Sequence, residues 1–297
     1  MKMTEFDQAG VLPVAESTTE SRIRNDLADL FTESFSHLEH LRDLLHLSMR
    51  GIRILCNQPQ MIEAMQKVER LQGKSTISSE QIARANAESQ LAIAEVRNGF
   101  PLLHAQASIS LWGTLESLVR SLLISILAKC AESRSLPELK KVRLSFGDLE
   151  DLTGEDRYNY VLDLLEDSLK TRQKPGIARF EELLQAFGLS GTIEPEIKKT
   201  LFELYHVRNV LVHRRGIADA RFAKACPWMN VTPNERLQIE HNSFLRYHET
   251  AMKYITQIVQ RSSAYLEMRR TLDASNQSAG KVIVEDARGV DEAPKPR

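Results

Sequence analysis

The chain has no excess of either charge. Among its 297 residues, Lys and Arg total 39 and Asp and Glu total 40, a formal net charge of −1. A global basic field for holding nucleic acid is therefore excluded, and any polyanion must be gripped by a local patch. Cysteine is scarce as well. Cys56, Cys130 and Cys226 are odd in number and widely spaced. They make neither a disulfide framework nor a zinc ligand set, a pattern that suits a reducing cytosol. The first residues, including Glu5, Asp7 and Glu16, lack the basic and apolar regions of an export signal, so a cytoplasmic location is expected. The most apolar stretch, Leu111 to Ala128, is interrupted by Glu116, Arg120 and several serines. It reads as a core helix rather than a membrane span. No internal repeat is visible. Gly154-Glu155-Asp156-Arg157 lacks the glycine and lysine spacing of a phosphate loop.

What is present is helical periodicity, with 42% hydrophobic residues to build a sizeable core. From Leu27, the apolar positions Leu30, Phe31, Phe35, Leu38, Leu41, Leu45, Met49, Ile52 and Leu55 step by threes and fours, predicting a long amphipathic helix with a narrow seam. Pro59 breaks it, a short helix covers Met61 to Leu71, and Gly73 to Ser79 is a polar hinge. Ser78 or Ser79 caps a helix that runs to Arg97 and stops near Gly99 and Pro101. Further helices are predicted at Leu102–Ala131, Tyr158–Lys170 and Ile177–Phe187, the last ended by Gly188. Val142 to Phe146 is a short strand or merely extended. Pro195 opens a helix that continues to Gly216, Cys226 to Asn234 is a loop, and a final helix spans about Asn242 to Arg270. The composition beyond Leu272 predicts a disordered tail. The expected organisation is all-α: a flexible N-terminus over 1–20, a helical extension over 21–100, a helical bundle over 101–271 and a tail over 272–297.

Leu201 to Gly216 contains the most informative segment, Arg208-Asn209-Val210-Leu211-Val212-His213. On a wheel at about 100° per residue, Leu201, Leu204, Tyr205, Leu211 and Val212 share one sector with Arg208 in its middle, and Val207 and Val210 extend the apolar coverage around most of the helix. Arg208 is thus expected to be buried and to need a carboxylate. Glu116, at the edge of the apolar face of the Leu102–Ala131 helix, is the expected partner. His206, Asn209 and His213 fall on the narrow polar sector. Arg208 and His213 are roughly 140° apart, so the arginine must curl toward the polar side or a second copy must complete the site.

Arg-polar-x-x-x-His late in a helical chain resembles the HEPN superfamily, helical domains of prokaryotic toxins and defence proteins. Leu111-Trp112-Gly113-Thr114-Leu115-Glu116-Ser117-Leu118-Val119 and Ala178-Arg179-Phe180-Glu181-Glu182-Leu183-Leu184 match the family context. The resemblance covers about Leu102 to Arg270. It implies a HEPN-like bundle with a long-helix N-terminal extension. It also implies a metal-independent endoribonuclease, needing no cofactor and acting on RNA at a homodimer cleft, as a toxin or phage-defence effector with a possible antitoxin or defence partner. In that reading His213 moves protons at the ribose 2′-hydroxyl or the leaving oxygen, Arg208 stabilises phosphoryl charge and Asn209 positions. Arg215 stands where one subgroup of the family carries a tyrosine, so modification there is not expected. Arg214 and Arg215 form a small basic extension for RNA phosphates.

Simpler readings stand beside these. Members of the family also serve as inactive modules for sensing, scaffolding or partner binding. Arg208 is equally a structural ion-pair residue. His206 reads as a surface or core histidine. His37, His40 and His46 read as a solvated helix face rather than metal ligands, and His241 and His248 receive no role. Trp112 and Trp228 read as packing residues. Arg214, Arg215 and Arg221 also suit a helix C-terminus. The long N-terminal seam is either intrachain packing or a partner helix.

Overall fold

The computed structural model describes residues 16–288 except 74–75, 131–132, 134, 144–146 and 148–151. Ten helices are seen among them: α1 Glu16–Leu55, α2 Gln58–Leu71, α3 Ser79–Arg97, α4 Pro101–Lys129, the single turn α5 Pro137–Lys140, α6 Gly154–Ser168, α7 Ala178–Ala186, α8 Pro195–His213, α9 Ala220–Ala225 and α10 His241–Arg288. No strand occurs among the described residues, and only an isolated bridge joins Ile217 to Arg236. Part of the possible strand at Val142–Phe146 lies outside the described residues.

Local chemistry explains several boundaries. Pro59 sits in the first turn of α2, where its missing N–H costs nothing. Ser78 caps α3 by accepting from the Gln81 backbone N–H at 3.2 Å, while Gln81 Oε1 accepts from the Ser78 N–H at 2.8 Å. This is a reciprocal capping box. Pro195 opens α8, and Gly188, at φ +75°, closes the turn after α7. Helix α9 lies in a segment that carried no predicted helix. It is capped by Asp219, whose carboxylate accepts from the Phe222 N–H at 2.8 Å. The tail expected from 272 is instead helical as far as Arg288, as a continuation of α10. Residues 1–15 and 289–297 lie outside the described residues.

Helix α4 is the centre of the molecule. Leu111, Trp112, Leu115, Leu118, Leu122 and Leu123 are each at most 1% exposed. Among the described residues, α4 is the one helix long and apolar enough to cross a membrane by length and composition, but more than half of its most apolar stretch is packed inside the fold. Helices α1, α6, α7, α8 and α10 surround it. Because α4 is apolar around most of its circumference, it needs cover on every side. The α1 seam supplies one wall, with Leu27, Leu38 and Leu45 buried against it. The seam is therefore intrachain packing, and the core is continuous across the boundary expected at 100/101.

Candidate functional site

The core stripe of α8 is Ile197, Leu201, Leu204, Val207 and Val210, each at most 5% exposed. This stripe is rotated from the sector predicted by the wheel. Tyr205 and Leu211 are only partly buried, and Val212 is 44% exposed. Arg208 consequently sits at the margin of the stripe, half-buried, and its long side chain can reach the polar side.

It does so. Arg208 Nη1 donates to Asn209 Oδ1 at 3.2 Å and lies 3.3 Å from His213 Nε2. Guanidinium can only donate, so His213 Nε2 carries the lone pair and Nδ1 the proton. The same contact orients the Asn209 amide, turning Oδ1 to the arginine and leaving Nδ2 to donate elsewhere. The three motif side chains thus meet within one chain at the end of α8, where His213 is exposed.

The chain turns sharply just beyond. Arg215 and Gly216 are both left-handed, at φ +55° and +77°, and Gly216 N–H donates to Val210 O at 3.0 Å. A glycine at the second of these positions avoids the strain of a side chain. Arg214 is exposed and its Nη2 lies 2.7 Å from Asp219 Oδ2. The Asp219 carboxyl is held below the usual range, first by the Phe222 N–H and then by Arg214 and Arg221. Arg215 is exposed beside His213, and its carbonyl accepts from Arg236 Nη1 at 3.3 Å.

The expected Glu116–Arg208 pair does not form. Glu116 Oε1 instead accepts from Arg179 Nη1 at 3.0 Å. Arg179 comes from α7, in the segment that resembled the family context, and it bridges onward to Glu166 Oε2 at 3.0 Å. Glu166 is the buried carboxylate of this network, 1% exposed, and also meets Arg120 and Arg172 at 3.2 Å each. Two wheels could not show that α7 inserts an arginine beside Glu116.

A second buried carboxylate lies on the motif helix and was not singled out in the sequence. Glu203, 2% exposed, accepts from Trp228 Nε1, from the Tyr247 hydroxyl and from Arg246 Nη2, each at 2.5 Å. Trp228 is therefore more than a packing residue. Burial and the neighbouring Glu203 push the Tyr247 hydroxyl well above its usual value. They push the Cys226 thiol up to about 12, which makes it inert as a nucleophile. The only cue in the sequence was a Glu three residues after Thr200 on an otherwise core-facing stripe.

His206 packs edge-on against Phe202 and Tyr205, with ring centroids at 4.4 and 5.1 Å. Its buried Nε2 has no hydrogen-bond partner. Burial lowers its proton affinity, partly offset by Asp219. His37 and His40 are exposed, as a solvated face requires. His46 departs from that face and meets His241, whose ring centroid is 5.3 Å away.

Comparison with protein-family models, with characterised proteins and with solved structures returned no match.

Proposed function

We propose that this chain is a metal-independent endoribonuclease of the HEPN type, acting in the cytoplasm as a toxin or phage-defence effector. The observation that carries the reading is the meeting of Arg208, Asn209 and His213 at an exposed helix end. Without RNA, Arg208 occupies the Nε2 lone pair of His213. A phosphodiester offers the guanidinium a better partner, because a planar fork matches two phosphoryl oxygens. Released in this way, His213 Nε2 takes the proton of the ribose 2′-hydroxyl. The 2′-oxygen then bonds to the adjacent phosphorus while the bond from phosphorus to the 5′-oxygen breaks. The leaving oxygen takes a proton from a second acid, supplied in this proposal by His213 of a second copy across a two-fold axis. The products are a 2′,3′-cyclic phosphate and a 5′-hydroxyl. Arg208 stabilises the charge that builds on the phosphoryl oxygens, and Arg215 adds a phosphate contact.

The test is expression of wild type beside His213→Ala with mapping of RNA ends. Wild type should yield cyclic phosphate ends and the variant none, at unchanged helical content. A variant that still cleaves removes His213 from the chemistry.

The second reading is a non-enzymatic helical module that binds a partner, with no turnover at the motif. Met61, Met65, Val68 and Leu71 on α2 are 53% to 89% exposed, and α2 buries no residue. Exposed apolar clusters of this kind mark interaction sites. RNA left intact by purified wild type across a range of substrates would favour this reading.

A further inference from the structure

Three histidines from three helices meet at one point that neither the periodicity nor the motif indicated. His46 lies in the second half of α1, His104 in the first turn of α4 and His241 at the first position of α10. His104 is fully buried. Its Nδ1 lies 3.0 Å from Gly99 O and 3.1 Å from Phe100 O. Carbonyls only accept, so Nδ1 carries the proton and Nε2 the lone pair. That lone pair faces His241 Nδ1 at 3.1 Å, which must donate. The tautomer of one buried ring thus sets that of the next. The His241 ring packs in turn on His46, at 5.3 Å between centroids.

The backbone around the cluster is unusual. Gly99 and Phe100 are consecutive left-handed residues at φ +75° and +58°, and Phe100 is 2% exposed. Holding a bulky residue in this region is strained and requires support from its surroundings. Arg53 of α1 lies over the Phe100 ring, 5.3 Å from its centroid. The cluster therefore ties the second half of α1 to a strained corner between α3 and α4.

Nothing in this arrangement welcomes a proton. Two of the rings stand at helix N-termini, whose dipoles disfavour cations. The charged and titratable groups that bear on His104 are His241 and His46, and on His241 they are His46 and Arg53. None of these is a carboxylate. A proton on His104 must go to Nε2 and reverse this hydrogen bond, so that His241 has to move its own proton to Nε2 and accept through Nδ1. A further proton on His241 then sets two N–H groups against each other and breaks the contact. Burial, followed by the neighbouring histidines, lowers the proton affinity of His104. Burial, His46 and Arg53 do the same for His241.

We propose that His46, His104 and His241 form a proton-sensitive latch that holds the second half of α1 onto the starts of α4 and α10 and opens on acidification. The sign follows from linkage. Both His104 and His241 hold protons more weakly in the folded chain than when unfolded, so the latch is fully closed above about pH 6.5. It weakens as pH falls below that point. A further contact joins the same two helices: His248 Nε2 donates to Leu38 O at 3.0 Å. That contact should anchor the helix farther toward its N-terminus, so opening is confined to the portion of α1 after Leu38.

Hydrogen exchange of the full chain tests this, compared at about pH 7.5 and about pH 5.5 after correction for intrinsic rates. Amides of 42–55 should open about tenfold or more at the lower pH, which lies roughly one pH unit below the value of a free imidazole, while α8 amides change little. In His241→Asn the amide can still donate to His104 Nε2 but does not titrate, so the acid response should shrink severalfold. His46→Gln should shrink it as well. Equal protection of 42–55 at both pH values overturns the latch, as does opening that is uniform over the molecule. A double variant that responds like wild type also overturns it. If the variants fail to fold, ring nitrogen shifts of wild-type His104 decide. Protonation that tracks the opening of α1 supports the latch, and protonation without opening overturns it.

Discussion

Arg208 Nη1 lies 3.3 Å from His213 Nε2, although the two residues diverge by roughly 140° around the helix that carries both. A side chain as long as arginine closes that angle because Arg208 stands at the margin of the buried stripe rather than within it. The arginine is therefore partly solvated and unpaired with any carboxylate in the described ion pairs. Arg208→Ala should cost no more than about 1 kcal/mol of stability, as for an exposed polar contact, yet lower RNA cleavage about 100-fold or more. Urea unfolding beside a cleavage assay separates the two. A loss of several kcal/mol would mean that Arg208 is a structural residue after all.

The carboxylate that matters for stability near α4 is Glu166, not Glu116. Glu166→Ala leaves three arginines without their shared buried partner and should cost about 3–5 kcal/mol. Glu116→Ala removes one partly exposed contact of Arg179 and should cost about 1 kcal/mol or less. Denaturant midpoints of the two variants give the comparison directly. Equal losses would show that the network is not centred on Glu166.

His206 carries a buried ring nitrogen with no partner. Replacing it by Phe removes that atom and keeps a ring against Phe202 and Tyr205. The expected gain is about 1 kcal/mol, or roughly 2–4 °C in Tm for a chain of this size. Because burial lowers its folded proton affinity, His206 contributes full stability above about pH 6.5 and loses it progressively below. His206→Phe should therefore flatten the fall of Tm between about pH 6.5 and pH 5. A steeper fall would contradict the assignment.

Gly216, at φ +77°, closes the turn that follows His213. Gly216→Ala should cost about 1 kcal/mol or more, since the left-handed backbone strains any side chain. It should also weaken cleavage by displacing His213 and Arg215. Thermal melting and single-turnover cleavage read the two effects, and an unchanged melting curve would argue that the turn relaxes freely.

Much of the helical order was legible before any coordinates. Pro59, Ser78, Pro101, Gly188 and Pro195 act on their own neighbours, and each marks the boundary it predicted to within a few residues. The apolar seam of α1 and the all-round apolarity of α4 likewise announced a buried partnership. The wheel for α8 failed in a specific way. It centred the core sector on Tyr205, Leu211 and Val212 and took Val207 and Val210 only as its extension, while the true stripe runs through Val207 and Val210 and includes the buried Glu203. Apolar identity does not say which of two neighbouring sectors faces the bundle when both are mostly apolar.

The sequence by itself determined the all-α class and most helix boundaries, and it put Arg208, Asn209 and His213 on one helix without deciding whether they meet. These rest on local forces, namely capping, φ restriction and periodic burial, which act over a few residues of chain. Only the tertiary structure decided which carboxylate each arginine meets, as with Arg179 replacing Arg208 at Glu116. It alone brought His46, His104 and His241 together across 58 and 137 residues, and placed Trp228 on Glu203. Such contacts depend on the rotation and stagger of packed helices. A shift of one residue in either changes the partner, and no local pattern in the chain records it.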